Sequence, residues 1–420
     1  MKTTADSTSR RWLLAILLLA LILRLAWSLT RPTTESSLSA LPDQREYLAC
    51  ARNLIHEHTL YFVDPRFNDP VYAFRTPGYP LFVAACGARL TTVRIAQSLL
   101  DTLTALGAYL LARRWLTPRA CLFASAMCAL NPFLFYFTGL ILTEILFTSL
   151  LTWGLVLLVT RNGRYWIAGA AVLALSVLVR PGAIALPVVL SLLAAIANRH
   201  HPRPYHRWPL PVGATTLALT LLVLLPWSFR NYRVVGQWVW TSTNAGFTAF
   251  DGFNRDATGA SDQRFVENMP QLRSMNEVSR SEYLAAAAKE FMRSSPGACA
   301  RLMLVKLGRT WSPAPLSADF ARPLYVAVAL AFSLPVYFLI LLGLAKGNLP
   351  ISAKLFLLAT AIYLSVGAML SVGSLRYRIP AEAPLAVLAA AGADRIVRLF
   401  TEQLPFRRVT VSTIENSPPQ

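Results

Sequence analysis

Two carboxylates three residues apart, Asp43 and Glu46, stand in Pro42-Asp43-Gln44-Arg45-Glu46-Tyr47. On a helix that spacing puts both on one face. A carboxylate so placed can take a proton from a sugar hydroxyl or another nucleophile; an Asp after Pro equally suits a helix cap. Arg75 stands in Phe74-Arg75-Thr76-Pro77-Gly78-Tyr79-Pro80, where two prolines and a glycine fix the backbone. Its guanidinium could hold a phosphate by a bidentate, charge-assisted contact, or anchor a rigid turn at lipid headgroups. Glu144, in Leu142-Thr143-Glu144, is a lone carboxylate beside a long apolar run and needs a partner. It could bind substrate hydroxyls, orient Arg75, or sit in a structural ion pair. Arg180, Arg230, Arg376 and Arg378 lie at the ends of apolar runs. One such arginine is an ordinary headgroup anchor; several converging would cage a lipid phosphate.

The elements that must position these groups are apolar runs. The chain has 420 residues, 55% hydrophobic and 15% charged, and its mean hydropathy is +0.46. Disorder is excluded, and a soluble two-domain enzyme is disfavoured. Trp12–Leu29, Ile141–Thr160, Leu210–Trp227, Leu324–Leu344 and Leu355–Leu370 approach or reach the roughly 20 residues that cross a bilayer. The fold class is an all-α polytopic membrane protein of roughly ten transmembrane helices. The first run is too long for a signal peptide core and reads as a retained helix.

The formal charge of +19 gathers in short loops, among them Arg113, Arg114 and Arg119, then Arg161 and Arg164, the stretch Asn198–Arg207, and Lys346 and Lys354. The positive-inside rule puts those loops and both termini in the cytoplasm. The basicity therefore needs no nucleic acid. Two long mixed-sign segments, 30–91 and 228–322, fall on the outer side. They are expected to carry helices at Asp43–His58 and Glu277–Arg293. The five cysteines show no metal spacing; Cys50 and Cys86 share the first outer segment, where an oxidising space would allow a disulfide. His200, His201 and His206 read as part of a solvated basic loop. Walker A, GxGxxG, HExxH and GxSxG motifs are absent.

The order of these pieces resembles the C-type (GT-C) superfamily of membrane glycosyltransferases. The nearest branch in pattern is the bacterial relatives of the dolichyl-phosphate-mannose protein mannosyltransferases and of the aminoarabinose transferase acting on lipid A. The resemblance rests on Asp43-x-x-Glu46-Tyr47, Arg75-Thr76-Pro77-Gly78-Tyr79-Pro80, Leu142-Thr143-Glu144, Leu178-Val179-Arg180-Pro181, Pro226-Trp227-Ser228-Phe229-Arg230-Asn231-Tyr232, Ser242-Thr243-Asn244-Ala245-Gly246 and Arg376-Tyr377-Arg378-Ile379-Pro380. One departure is Asp251-Gly252-Phe253-Asn254, where relatives more often show Gly-Asn-Asn.

The resemblance implies one transferase domain over 1–399, with a cytoplasmic tail at 400–420, in a bacterial inner membrane. The donor would be a polyprenyl-phosphate sugar, and the acceptor hydroxyl would belong to a lipid, a glycan or a protein. No metal or cofactor is called for. Asp43 would be the base, with Glu46 and Glu144 in the catalytic set. Arg75, Arg180, Arg230, Arg376 and Arg378 would hold the donor phosphate, and Tyr47, Tyr79 and Tyr377 would position substrate. Two rival readings are a flippase for a lipid-linked sugar, which would need polar residues such as Gln97 and Asp101 in mid-helix, and a non-catalytic assembly subunit.

Overall fold

The computed structural model describes residues 2–38, 41–160, 165–197, 209–317 and 321–403. Arg161 and Arg164, the stretch Asn198–Arg207 with its histidines, and Arg407 and Arg408 of the tail lie outside the described residues. The chain opens with α1 (Lys2–Leu29) and α2 (Pro42–Glu57). A ribbon of β1 (Phe62–Asp64) and β2 (Asp69–Val71) follows, antiparallel with Phe62 opposite Val71. Next come α3 (Gly78–Ala85), α4 (Leu90–Ala112), α5 (Pro118–Ala129), α6 (Pro132–Thr138), α7 (Glu144–Val159), α8 (Tyr165–Val177) and α9 (Leu186–Ala197). The second half holds α10 (Pro209–Val235), α11 (Asn244–Gly252), α12 (Glu277–Ser294), α13 (Pro296–Thr310), α14 (Pro323–Lys346), α15 (Ile351–Leu370) and α16 (Glu382–Gln403).

Among the described residues, five helices are long and apolar enough to cross a membrane: α1 over Thr8–Leu29, α4, α10, α14 and α15. A sixth span results if α5 and α6, bent by 48° at their junction, count as one. The bend has a local cause. Leu130 ends one helix and Asn131 caps the next, accepting from Phe133 N and Leu134 N, and Pro132 then starts α6. Three shorter apolar helices lie at Glu144–Val159, Tyr165–Val177 and Pro181–Ala197. The all-α multi-pass membrane fold is as expected, while these spans do not confirm the count of roughly ten transmembrane helices. α7, α8 and α9 are short because Thr160 and the Arg180-Pro181-Gly182 corner interrupt their apolar runs.

The spans are locked by polar contacts as well as by packing. Arg24 and Asp101, both fully buried, pair at 2.6 Å. Arg24 also donates to the carbonyls of Ala129 (2.9 Å) and Cys128 (2.9 Å), so α1, α4 and α5 share one knot. α14 and α16 approach so closely that a Cβ on Gly343 would strike the Leu388 carbonyl, and one on Gly392 the Leu339 carbonyl. Small residues permit such contact between membrane helices.

The two long inter-helix segments interlock into a cap with its own core of Phe62, Phe74, Trp227, Phe247, Phe250, Phe253 and Leu284. Glu277, at the start of α12, accepts from Tyr72 N (2.7 Å), Ala73 N (2.9 Å) and Thr243 Oγ1 (2.6 Å). Burial pushes its carboxyl up, against those hydrogen bonds. Lys306 of α13 is fully buried, with Nζ 3.4 Å from the Phe253 ring centroid. Burial pushes it down to about 8. All five cysteines are free thiols, so Cys50 and Cys86 make no disulfide here.

Candidate active site

Six side chains form a line of alternating charge under the cap. Arg75 donates from Nε to Glu46 Oε2 and from Nη2 to Asp43 Oδ1, both at 2.7 Å. Arg376 donates from Nη1 to Asp43 Oδ2 at 2.9 Å and from Nε to Glu144 Oε1 at 2.6 Å. Arg180 Nη2 reaches the same Glu144 oxygen at 3.2 Å. Three guanidiniums balance three carboxylates, and Asp43 lies between two of the guanidiniums.

Local chemistry explains the placement. Pro42 opens α2, and Leu41 holds the cap position without a side-chain cap bond. Asp43 is thus not the helix cap: its carboxylate turns to the arginines. Gln44, on the next position, accepts from Ile141 N at 2.9 Å and bolts α2 to the start of α7. The Pro77-Gly78 turn docks on the Arg180 corner, where Gly78 N donates to Leu178 O at 2.8 Å. A Cβ on Gly78 would lie 2.7 Å from that carbonyl, so glycine is needed for the approach. Ser374 caps the short turn Leu375–Tyr377, accepting from Arg376 N, and this turn presents Arg376.

The charge line runs along a cavity of about 1430 Å³. Asp43, Glu46, Tyr47, Arg75, Arg180, Arg376 and Tyr377 line it. One part of the wall is apolar and comes from α6, α14 and α15, with Phe133, Val328, Ala329, Leu364 and Leu370. Gly367 lies on this part with nothing within 4 Å of where a Cβ would sit. Another part is polar and comes from α11 and its flanks.

Burial opposes the charge on Asp43, but the guanidiniums of Arg75 and Arg376 outweigh it and hold the carboxyl well below the usual carboxylate range. Glu46 moves the other way: burial, with the Asp43 charge adding to it, pushes its carboxyl up against the pull of Arg75. Tyr47 packs edge-on against Tyr79 at 4.9 Å and lies under the Arg75 guanidinium at 5.0 Å; burial pushes its hydroxyl up to about 12.

Several expected residues lie elsewhere. Glu144 is fully buried behind Arg376 and Arg180 rather than on the cavity wall, and it orients those two arginines, not Arg75. Arg75 already takes its carboxylates from α2. Arg230 is not on the cavity wall; it donates to Tyr72 O (2.7 Å) and Leu60 O (2.6 Å), tying α10 to the ribbon. Arg378 is buried, pairs with Glu382 at 3.3 Å and donates to Ser312 O at 2.8 Å and to the Tyr337 hydroxyl. Tyr79 is buried with its hydroxyl on Gln97 Oε1 at 2.8 Å. Sequence reasoning missed Asn244, Asp251, Gln263 and Arg309, all on the wall. Asn244 stood in a quoted motif; Arg309 carried no signal. Among the described residues no group of three His, Cys, Asp or Glu side chains could hold a metal ion.

Residues 79–227 match the family model of the dolichyl-phosphate-mannose-protein mannosyltransferases. No curated protein matches the sequence. Among solved structures, the chain is similar to the archaeal oligosaccharyltransferase AglB of Archaeoglobus fulgidus bound to an inhibitory peptide and a dolichol-phosphate. The identity is 15% and the TM-score 0.57, over 96% of this chain and 52% of that one. The apo oligosaccharyltransferase of the same organism gives 16% and 0.55, over 93% and 51%. Its complex with Zn and sulfate gives 15% and 0.53, over 92% and 50%. The chain spans about half the length of these proteins. It has the GT-C membrane glycosyltransferase fold. Within that fold, its matched segment is similar to the protein mannosyltransferases.

Proposed function

We propose that the protein is a membrane glycosyltransferase that moves a sugar from a polyprenyl-phosphate donor to an acceptor hydroxyl, at the outer face of a bacterial plasma membrane, with both termini cytoplasmic. The observation that carries this reading is Asp43 held between Arg75 and Arg376 on the wall of a large cavity whose other walls are partly apolar. The apolar part suits a polyprenyl tail and the arginines suit its phosphate.

The chemistry follows from that order. Asp43 takes the proton of the acceptor hydroxyl. The acceptor oxygen bonds to the anomeric carbon as the bond from that carbon to the phosphate oxygen breaks. The electron pair leaves on polyprenyl phosphate. The sugar passes through an oxocarbenium-like state, and prearranged guanidiniums stabilise the departing anion. Arg180 also lines the cavity, a third guanidinium suited to a phosphate. The flippase reading is weaker because Asp101 is closed by Arg24 rather than turned to a pathway.

Purified protein supplied with polyprenyl-phosphate sugars and a membrane extract is expected to release free polyprenyl phosphate. Unchanged donor that crosses the bilayer of a proteoliposome would instead support the flippase.

A further inference from the structure

We propose that Tyr232, Trp238 and Trp240 form a lipid-docking plate, which lies in the headgroup layer of the membrane and seats there the loop that runs into the cavity wall. The inference needs only the membrane fold and holds whichever reaction the cavity serves.

α10 has two faces. One packs on α8 and α9 and buries Val212, Thr216, Thr220, Leu224 and Asn231. The other exposes Leu217, Leu221, Leu222, Leu225 and Phe229. On a helix long and apolar enough to cross a bilayer, such an exposed stripe faces acyl chains. The stripe changes character at its end. Tyr232 is the next ring on that face, and Arg233 follows, its guanidinium carbon 5.3 Å from the Phe229 ring centroid. An amphipathic ring beside a cation on a long apolar stem marks the passage from hydrocarbon to headgroups.

The loop after α10 returns to this level. Gly236 turns the chain with φ 74°, a conformation open to glycine, and its N–H donates to Tyr232 O at 3.0 Å. Residues 237–241 then run back along the last turns of α10. Asn231 Nδ2 donates to Val239 O at 2.9 Å, and Trp227 Nε1 donates to Thr241 O at 2.7 Å. Trp238 stacks on Tyr232 at 5.0 Å and Trp240 on Trp238 at 6.3 Å, with interplanar angles of 18° and 27°. Even so stacked, Trp238 is 53% exposed and Trp240 45%. Each ring has an apolar face for acyl chains and an N–H or O–H for headgroups. Continuity with the lipid-facing stripe of α10 selects the bilayer as the partner of this patch. Beyond the plate, the same loop enters the cavity wall. Thr241 and Ser242 line the cavity, and Ser242 Oγ donates to Phe74 O at 2.5 Å, the carbonyl just before Arg75. A plate held at the headgroups thus sets the level of that wall relative to the membrane.

The test uses the full chain in phosphatidylcholine nanodiscs, with lipid that is plain, brominated high on the acyl chains, or brominated near the chain ends. Tryptophan emission of wild type is compared with that of a double variant carrying Trp238→Phe and Trp240→Phe, whose phenyl rings keep the stack. The difference isolates the two indoles. That difference is expected to lose most of its intensity when bromine sits high on the chains, and less when bromine sits near the ends, because Trp rings settle at the membrane–water boundary. If the double variant misfolds, each single variant gives the same reading for one indole. A difference emission that neither bromolipid quenches overturns the proposal. Aqueous acrylamide then tells a plate that faces water, which it quenches, from one covered by a second copy of the chain, which it does not. Stronger quenching by bromine near the chain ends also overturns it, since the rings would then lie in the hydrocarbon interior.

Discussion

Asp43→Asn is the most informative single change. The amide keeps the shape of the side chain but cannot take a proton, so a general-base role predicts a turnover loss of roughly 10²–10⁴-fold, or about 3–5 kcal/mol of barrier. The geometry also sets a structural cost. One amide oxygen can still face Arg75, but the amide nitrogen would face Arg376 Nη1, which donates to Asp43 Oδ2 at 2.9 Å. One charge-assisted hydrogen bond is lost, about 1.5–3 kcal/mol, so the variant should melt earlier yet remain folded. The pH dependence supplies a second arm. Arg75 and Arg376 hold Asp43 low against burial, so it is ionised in the free enzyme down to well below the usual carboxylate range. Its contribution to stability is full above its unfolded value and is lost as pH falls through the folded one. On the proposed reading, a donor phosphate competes for the same two guanidiniums and releases Asp43 upward. The acid limb of kcat, which reports the complex, should then lie at higher pH than that of kcat/KM, which reports the free enzyme. The assay is release of polyprenyl phosphate across pH, with thermal unfolding in parallel. Turnover above roughly a tenth of wild type in Asp43→Asn, or the two limbs in the opposite order, refutes the argument.

Three further outcomes follow from the packing. Arg24→Leu strands Asp101 in the membrane interior and should cost about 3–5 kcal/mol, read as thermal unfolding in detergent; adding Asp101→Leu should recover much of the loss. Glu277→Ala leaves the N–H groups of Tyr72 and Ala73 without their acceptor, at about 1–3 kcal/mol each, and should speed hydrogen exchange in the cap while the spans stay protected. Lys306 is shifted from 10.5 in its free form to about 8. The unfolded chain thus binds the extra proton between those values, and stability should rise with pH across that window. Lys306→Met should flatten the slope in a pH series of melting curves.

Much of the membrane fold was legible because apolar runs must become helices in a bilayer. α14 and α15 begin within a few residues of where the runs begin, and α12 starts at Glu277 as expected. The bend at Asn131 was harder, since a run of apolar residues does not reveal where a cap will cut it. In the site, the residue types of Asp43, Arg75 and Glu144 stood out. Their pairing did not, because Arg376 reaches both Asp43 and Glu144 from more than two hundred residues away. Arg230 and Arg378 show the limit of the motif argument. Each stands in a segment that resembles the family pattern, yet each is engaged with backbone carbonyls away from the cavity wall. Nothing in a linear sequence separates an arginine that lines a cavity from one that ties two segments together.

Gly367 has a consequence for substrate range. At Gly343 and Gly392 the missing side chain is filled by a neighbouring helix, whereas at Gly367 the empty place belongs to the cavity. The bore of the apolar passage at that point is therefore gauged by backbone alone. A graded series of side chains there would act as a caliper, narrowing the passage without disturbing a helix contact. On the proposed transferase reading, the thickness of polyprenyl tail that the cavity admits is, at that one position, an adjustable dimension.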